Sequence, residues 1–192
     1  MRLLEERIEK EGRILPGGII KVDGFLNHRI DIDLAEKMAD EFYRLFGDRG
    51  INKVVTVEAS GIAIAAIVAR RFGVPMVFAK KAKSDNIEGG LYKSEIFSYT
   101  YKKKFTLIVS KDWLGEDDVV LVVDDFLANG EALRGLIDIV SESGAKLAAV
   151  GVCVEKGFQR GGKTLREKGI PLKSLAIIEQ ADENGFVFRE DV

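Results

Sequence analysis

Short runs of apolar, mostly β-branched residues alternate with helical segments along most of this chain. The run at 119–123 is purely apolar, which is typical of a strand buried on both faces of a parallel sheet, and the run at 53–57 is β-branched after Lys53, which also indicates a buried strand. Between such runs, apolar residues recur at helical spacing, as in the segment 33–46, which ends at Gly47. This alternation predicts an α/β fold in which a central parallel sheet is flanked by helices on both faces.

The same patterns place the individual elements. Helices are expected at 2–11, 33–46, 62–72 and 133–140, and strands at 19–22, 53–57, 76–79, 95–101, 105–110, 119–123, 147–154 and 172–178. The lysines at 102–104 are expected in a hairpin turn. The segment 80–93 has no clear period, which is more typical of a functional loop than of a linker. Because open parallel sheets bind ligands at the carboxyl ends of their strands, we expect the ligand-binding and catalytic residues just after residues 57, 79, 123 and 154.

Length and composition exclude several classes of protein. A chain of 192 residues is expected to form a single domain, and 46% of apolar residues excludes a disordered chain. The single cysteine, Cys153, excludes a disulfide framework and a thiolate metal cluster. The longest apolar stretch, 61–69, is far shorter than the about 20 residues that span a bilayer, and the first residues do not resemble a signal peptide. The net charge of −2 argues against nucleic acid as a partner, because nucleic-acid binders normally have an excess of basic residues. We therefore expect a cytoplasmic protein that has neither nucleic acid nor membrane as a partner.

Two acids and a glycine turn follow the apolar run 119–123. The segment 119–135 reads VVLVVDDFLANGEALRG, in which Asp124 and Asp125 precede a short loop and Asn129-Gly130 opens a helix. The free N–H groups of a helix N-terminus can hold a phosphate, and a glycine lets the backbone approach it closely. Carboxylates suit hydroxyl groups, so acids and turn together predict a site for a ribose 5-phosphate. The alternative is an acid pair that only caps the helix, which is disfavoured because buried acids without a task are costly.

This combination of an apolar run, two acids and a glycine-bearing turn resembles the signature of type I phosphoribosyltransferases, which use phosphoribosyl pyrophosphate (PRPP). The likeness extends along essentially the whole chain and is most specific at 119–132. It implies the type I phosphoribosyltransferase fold, in which a small hood from 1–30 and roughly 155–192 covers the base and a flexible lid loop closes over PRPP. Asp124 and Asp125 would be the catalytic acids that meet the ribose hydroxyls, in or near the outer shell of a Mg²⁺ ion.

The resemblance also implies how the 5-phosphate of PRPP is bound. It would lie in the turn formed by Ala128, Asn129, Gly130, Glu131 and Ala132. Many members of the family carry a hydroxyl residue in this turn, and this chain has none there. Backbone amides and the Asn129 side chain would therefore do the binding.

A second turn of small residues, Glu58-Ala59-Ser60-Gly61, follows the strand 53–57 and opens the next helix. Its free N–H groups predict a second anion site, where the resemblance implies pyrophosphate. A compatible alternative is that Ser60 serves as a helix N-cap.

Three lysines, Lys80, Lys81 and Lys83, follow the strand 76–79 at the ligand end of the sheet. We expect them to face an anion, although a solvated loop is the ordinary alternative. The resemblance implies that this loop is the lid and that it carries an aromatic residue near its end. Tyr99 is the candidate for that residue, with Tyr92 and Tyr101 as alternatives.

Lys156 and Phe158 follow the strand 147–154, where an acceptor base would lie. A lysine ammonium group only donates hydrogen bonds, so it selects a ring carbonyl over an amino group, and a phenylalanine can stack on a purine. The alternative is an exposed lysine beside a packing phenylalanine. By the resemblance, Asn27 would contact a purine carbonyl or ring nitrogen, and the backbone at Ile20 would form part of the same wall.

The sequences LNH, DDFLANGEA and VEKGFQ are most similar to bacterial members of the family that use xanthine as the acceptor. This implies transfer of the phosphoribosyl group from PRPP to xanthine by a homodimer that uses Mg²⁺. Two alternatives remain open: transfer to another 6-oxopurine such as guanine or hypoxanthine, and a PRPP-binding regulator without turnover.

One motif points to a different class of protein. Residues 157–164, GFQRGGKT, match the Walker A pattern of P-loop nucleotide hydrolases. The segment that follows, 165–171, is short and polar, whereas a P-loop helix is long and packed under the sheet. We therefore interpret the match as accidental.

Overall fold

The computed structural model describes residues 1–82, 90–98 and 103–189. The α-helices in these ranges are α1 (Arg2–Glu11), α2 (Ile32–Phe46), α3 (Gly61–Phe72), α4 (Glu131–Glu142) and α5 (Arg160–Glu167). The strands are β1 (Arg13–Leu15), β2 (Ile19–Lys21), β3 (Lys53–Val57), β4 (Met76–Ala82), β5 (Leu91–Ser98), β6 (Lys103–Ser110), β7 (Val119–Leu127), β8 (Lys146–Lys156), β9 (Leu172–Asp182) and β10 (Gly185–Arg189). A short π-helix spans Asp23–Asn27. No helix in the described ranges combines the length and apolarity needed to cross a membrane.

A mixed sheet in the order β10-β9-β8-β7-β3-β4-β6-β5 forms the centre of the fold. The predicted parallel arrangement is confirmed for its middle, since β9, β8, β7, β3 and β4 all pair in parallel. The edges differ: β10 is antiparallel to β9, and the β5–β6 hairpin joins β4 through an antiparallel pairing. Strands β1 and β2 form a separate antiparallel hairpin.

The strand order reverses between β3 and β7, and this reversal positions the site. From β3 the chain adds β4 on one side, whereas from β7 it adds β8 and β9 on the other. β3 pairs with β7 only along Lys53–Val55, while β7 continues to pair with β8 as far as Leu127. The two neighbouring strands therefore separate at their carboxyl ends, which opens a crevice where open α/β sheets bind ligands.

Each face of the sheet is covered by its own apolar cluster. One cluster joins α1, α2 and α3 to the sheet, and it includes Ile20 and Phe25 of the N-terminal segment. The other lies beneath α4 and α5 and contains Leu133, Leu136 and Leu165. The hydrophobic stripe of each helix thus faces the sheet, as the helical spacing predicts.

Several element boundaries differ from the expected ones. β7 continues to Leu127 rather than ending at 123, because backbone pairing with β8 carries it through the two acids. β5 begins at Leu91, and Lys103 and Lys104 lie in β6 rather than in the turn predicted at 102–104. β1, the π-helix, α5 and β10 were not predicted, since they are short or rich in polar and glycine residues and lack a clear apolar period.

Candidate active site

Asp124 and Asp125 lie in β7 where it separates from β3, and they are only 5% and 4% exposed. Burial at this level requires hydrogen-bond partners. For Asp125, Asn27 Nδ2 donates to Oδ2 at 2.9 Å and Ser60 Oγ donates to Oδ1 at 2.9 Å. One carboxylate is therefore held between the N-terminal segment on one side and the turn before α3 on the other.

Ser60 occupies the N-cap position of α3, but its side chain makes no capping hydrogen bond. Its hydroxyl instead contacts Asp125, so the plain capping role considered for Ser60 is not what this structure shows. Likewise, α4 has no side-chain cap, so the acid pair does not serve as a cap for that helix.

Asp124 lies against the first residue of α3. A Cβ atom added at Gly61 would be 2.3 Å from Thr56 Oγ1 and 3.1 Å from Asp124 Oδ1, so this close approach requires a glycine. The backbone N–H of Asp125 donates to Asp124 Oδ1 at 3.0 Å. Burial, followed by the neighbouring charge of Asp125, raises the pKa of Asp124 well above its usual range. Within the described residues, the buried Thr56 Oγ1 has no hydrogen-bond partner, and Thr56 was not among the predicted site residues.

The predicted phosphate turn leads directly from β7 into α4. Gly130 precedes α4 with a φ of +84°, a left-handed conformation that favours glycine. The five turn residues 128–132 line a cleft of about 570 Å³, together with Asp124, Phe126 and Glu58. The free N–H groups at the start of α4 therefore lie at the edge of a cavity that also contains an acid of the pair.

The two consecutive lysines of β4 take different positions. Lys81 lines the same cleft, and its backbone N–H donates to Glu58 Oε1 at 2.6 Å. Lys80 lines a separate cavity with Phe78 and Trp113, so this structure does not bring it to the cleft. Lys80 and Lys81 line different cavities because successive side chains of a strand point to opposite faces of the sheet.

The residues predicted to contact the base lie beside the cleft. Lys156 Nζ is 5.6 Å from the ring centroid of Phe126 and 6.0 Å from that of Phe158, and it donates to the carbonyl oxygen of Gly18 at 3.4 Å. Burial lowers the pKa of Lys156. Phe158 is 44% exposed, which leaves its ring accessible for stacking. The predicted pair of an ammonium group and an aromatic ring is thus present, next to β7.

Some predicted residues are less directly placed, and others were missed. Ile20 is buried in the core and pairs with Ile14 across the β1–β2 hairpin, so its side chain is taken up by packing. Tyr99, its alternative Tyr101, and Lys83 lie outside the described residues, while Tyr92 contacts Lys111. Three aromatic residues on the cleft were not selected from the sequence, namely Phe97, Phe105 and Phe126. Phe126 could have been selected, because it directly follows the acid pair.

The Walker-like segment does not form a P-loop. The helix already begins at Arg160, so Gly162 and Lys163 lie inside α5 rather than in a loop before it. Lys163 pairs with Glu167 on the surface of the same helix. The interpretation of this match as accidental fits the geometry.

The side chains of the site that could bind a cation are mainly the carboxylates of Asp124 and Asp125. In residues 1–82, 90–98 and 103–189, no three metal-binding side chains come together. Asp125 already accepts hydrogen bonds from Asn27 and Ser60. Mg²⁺ often binds through one or two carboxylates plus substrate phosphates and water. The residues present would therefore fit a Mg²⁺ ion held mostly by a phosphorylated ligand, and Asp124 and Asp125 are the side chains that would help to hold it.

Comparisons with known proteins agree with this geometry. The family described as phosphoribosyl transferase domain matches residues 21–191. The chain is 53% identical over 193 residues to a xanthine phosphoribosyltransferase of Lachnoclostridium phytofermentans, with both chains fully covered. It is 51% identical to the enzyme of that name from Ruminiclostridium cellulolyticum, over 99% of this chain and all of the relative. Among solved structures, an adenine phosphoribosyltransferase from Giardia lamblia with bound 9-deazaadenine superposes with a TM-score of 0.77 at 26% identity, covering 92% of this chain and 98% of the other. The chain therefore belongs to the phosphoribosyl transferase domain family.

Proposed function

We propose that this protein transfers the 5-phosphoribosyl group of PRPP to xanthine, giving xanthosine 5'-phosphate and pyrophosphate. The observation that carries the proposal is the placement of Asp125, held by Asn27 and Ser60 at the opening between β3 and β7. These contacts support a role for Asp125 as an oriented carboxylate between Asn27, the proposed base-side residue, and the turn 58–61, the proposed anion site. The relatives that are about half identical along their whole length bear the name of this activity.

In the proposed complex, the start of α4 binds the 5-phosphate, and the turn 58–61 with Lys81 binds the pyrophosphate. Both sites use free backbone N–H groups, and Lys81 adds a positive charge on the cleft wall. The acid pair then lies between the two anions and accepts hydrogen bonds from the ribose hydroxyls. We include Lys81 rather than Lys80 in this role because only Lys81 lines the cleft.

In the reaction, the bond between the anomeric carbon and the pyrophosphate oxygen breaks, and a bond from the anomeric carbon to a ring nitrogen of xanthine forms. The proton of that nitrogen passes to solvent water, and pyrophosphate leaves with the electron pair of the broken bond. The carboxylates of Asp124 and Asp125 favour the positive charge that develops on the ribose, while Lys156 and Asn27 orient the base. A bound Mg²⁺ would neutralise charge on the pyrophosphate.

We expect xanthine rather than adenine because the base side offers the ammonium donors of Lys156. Three N–H donors and no acceptor suit ring carbonyls, of which xanthine has two and adenine none. Guanine and hypoxanthine, with one carbonyl each, are the competing acceptors. As part of the same proposal, the protein acts as a homodimer in the cytoplasm.

The test measures pyrophosphate release from PRPP and Mg²⁺ with xanthine, guanine, hypoxanthine or adenine as the acceptor. We expect the highest kcat/KM for xanthine and no release with adenine. Asp125→Asn should lower kcat on the order of 100-fold with an unchanged circular dichroism spectrum. PRPP binding without pyrophosphate release for any purine would overturn the proposal in favour of a regulator.

A further inference from the structure

The three glycines of the Walker-like segment 157–164 are all sites of close packing. Gly157 lies against β9: its N–H donates to the Ile178 carbonyl oxygen at 2.7 Å, and an added Cβ would be 2.9 Å from Glu179 Oε2. Gly161 and Gly162 are buried at the start of α5 and face two different neighbours. None of the three adopts the left-handed conformation, so each glycine is required by space rather than by its φ angle.

Gly161 packs directly against the turn that we assign to the 5-phosphate. Its N–H donates to the Ala128 carbonyl oxygen at 3.1 Å. A Cβ atom added at Gly161 would be 2.3 Å from that oxygen and 2.9 Å from the Gly130 nitrogen. Since these neighbours are backbone atoms, a side chain at 161 must shift either the turn or the start of α5, and both change how the turn sits on α5.

Gly162 packs against the carboxylate that precedes the base-side lysine. Glu155 is only 1% exposed, and it accepts two hydrogen bonds from Arg166, at 2.8 and 2.9 Å, and one from Ser174. A Cβ atom added at Gly162 would be 1.9 Å from Glu155 Oε1 and 2.7 Å from Arg166 Nη1. A side chain at 162 must therefore disturb this ion pair, which anchors α5 beside Lys156.

We propose that α5 is a positioning element that sets the phosphate turn relative to the base-binding lysine. Gly161 and Gly162 act as its two contact points, and the Glu155–Arg166 pair fixes the helix against β8. These four are positioning residues, because they act through the turn 128–130 and through Lys156. The inference rests on the proposed function and gives a role to a segment that the reaction itself does not use.

The two contact points predict that each glycine variant raises the KM for a different substrate. Gly161→Ala should raise the KM for PRPP at least tenfold and change the KM for xanthine less than threefold. Gly162→Ala should raise the KM for xanthine at least tenfold and change the KM for PRPP less than threefold. Both KM values are measured by pyrophosphate release for each variant, and the melting temperature is recorded alongside. The matched control is Gly115→Ala, because an added Cβ there meets nothing within 4 Å; it should change neither KM.

Two further variants weaken the ion pair without enlarging any side chain, so they avoid the steric clash of the glycine variants. Glu155→Gln and Arg166→Lys both weaken the ion pair, and both should raise the KM for xanthine and not that for PRPP, even if the glycine variants fail to fold. Equal changes in both KM values, or a lower melting temperature with unchanged KM values, would overturn the proposal and leave α5 as ordinary packing. If the wild type shows no turnover with any purine, the proposed function fails by itself. Calorimetric binding of PRPP and of xanthine to the same variants then still decides whether α5 separates the two subsites.

Discussion

Asn27 Nδ2 donates a hydrogen bond of 2.9 Å to Asp125 Oδ2, across 98 positions of the chain. The contact joins the π-helix of the N-terminal segment to the strand that carries the acid pair. Because Ser60 donates to the other oxygen of the same carboxylate, Asp125 is oriented from both sides. We therefore expect a change at Asn27 to affect both the proposed base side of the site and the orientation of this acid.

Asn27→Ala should raise the KM for xanthine about tenfold, which corresponds to the loss of one or two hydrogen bonds. It should also lower kcat, since Asp125 loses one of its two side-chain donors. The measurement is steady-state pyrophosphate release at varied xanthine and saturating PRPP. Asn184→Ala, in the exposed turn between β9 and β10, is the control. Unchanged xanthine kinetics in Asn27→Ala would remove Asn27 from the base side.

The lysine pair of β4 gives a comparison between adjacent positions. Lys81→Met should raise the KM for PRPP about tenfold or more, because the cleft loses a positive charge near the proposed pyrophosphate site. Lys80→Met should change this KM less than twofold, because Lys80 lines the other cavity. The two variants carry the same change in charge and volume, so each is the control for the other. A larger effect at Lys80 would contradict the assignment of the cleft.

Lys156→Met should weaken xanthine binding by about 10- to 100-fold, since hydrogen bonds to charged groups contribute more than neutral ones. Methionine keeps the apolar stem between Phe126 and Phe158 and removes only the ammonium group. The preference for xanthine over hypoxanthine should fall as well, because fewer carbonyl contacts remain to distinguish them. The ratio of kcat/KM for the two bases measures this effect. Lys37→Met, on the exposed face of α2, should leave the ratio unchanged.

The raised pKa of Asp124 predicts how stability depends on pH. Between the ordinary value of 3.8 and the raised folded-state pKa, the folded protein binds more protons at this site than the unfolded chain. This residue therefore lowers the free energy of unfolding as the pH rises through that window. Asp124→Asn should remove that contribution, so the variant should be more stable than the wild type at neutral pH and similar to it near pH 3.

Thermal unfolding of the ligand-free protein from pH 3 to 8 measures the difference between variant and wild type. Asp48→Asn, at an exposed position, is the control. Loss of turnover together with a gain in stability would identify Asp124 as a residue kept for function. A variant that is less stable than the wild type at pH 7 would count against this account of its burial.

Much of the fold follows from local patterns. The apolar run at 119–123 predicts a strand buried in the sheet, and the helical spacing at 33–46 predicts a helix with one buried face. Both elements are present, as β7 and α2. The π-helix and α5 could not be predicted in this way. In α5, Gly161 and Gly162 disfavour a helix locally, and contacts with Ala128 and Glu155 outweigh that preference.

The site was predictable where chemistry lies next to a strand end and unpredictable where it depends on distant contacts. The acid pair lies in the last part of β7 and the turn 128–132 follows this strand directly, so their proximity is local. The hydrogen bond between Asn27 and Asp125 joins segments that are 98 positions apart, so no local sequence pattern could predict it. The different positions of Lys80 and Lys81 follow from strand alternation, but only once β4 is known to extend past Ala79.

The separation of β3 from β7 has a consequence for how such proteins can diversify. The sugar and its charged groups would be bound by the sheet and its two turns, whereas Asn27 and the backbone at Ile20 belong to a segment that is added beside the sheet. On the proposed function, a change of acceptor base can therefore arise from substitutions in the segment 20–27 and at Lys156 and Phe158, with the two turns that would bind the phosphates left unchanged, as long as residue 27 still donates a hydrogen bond to Asp125.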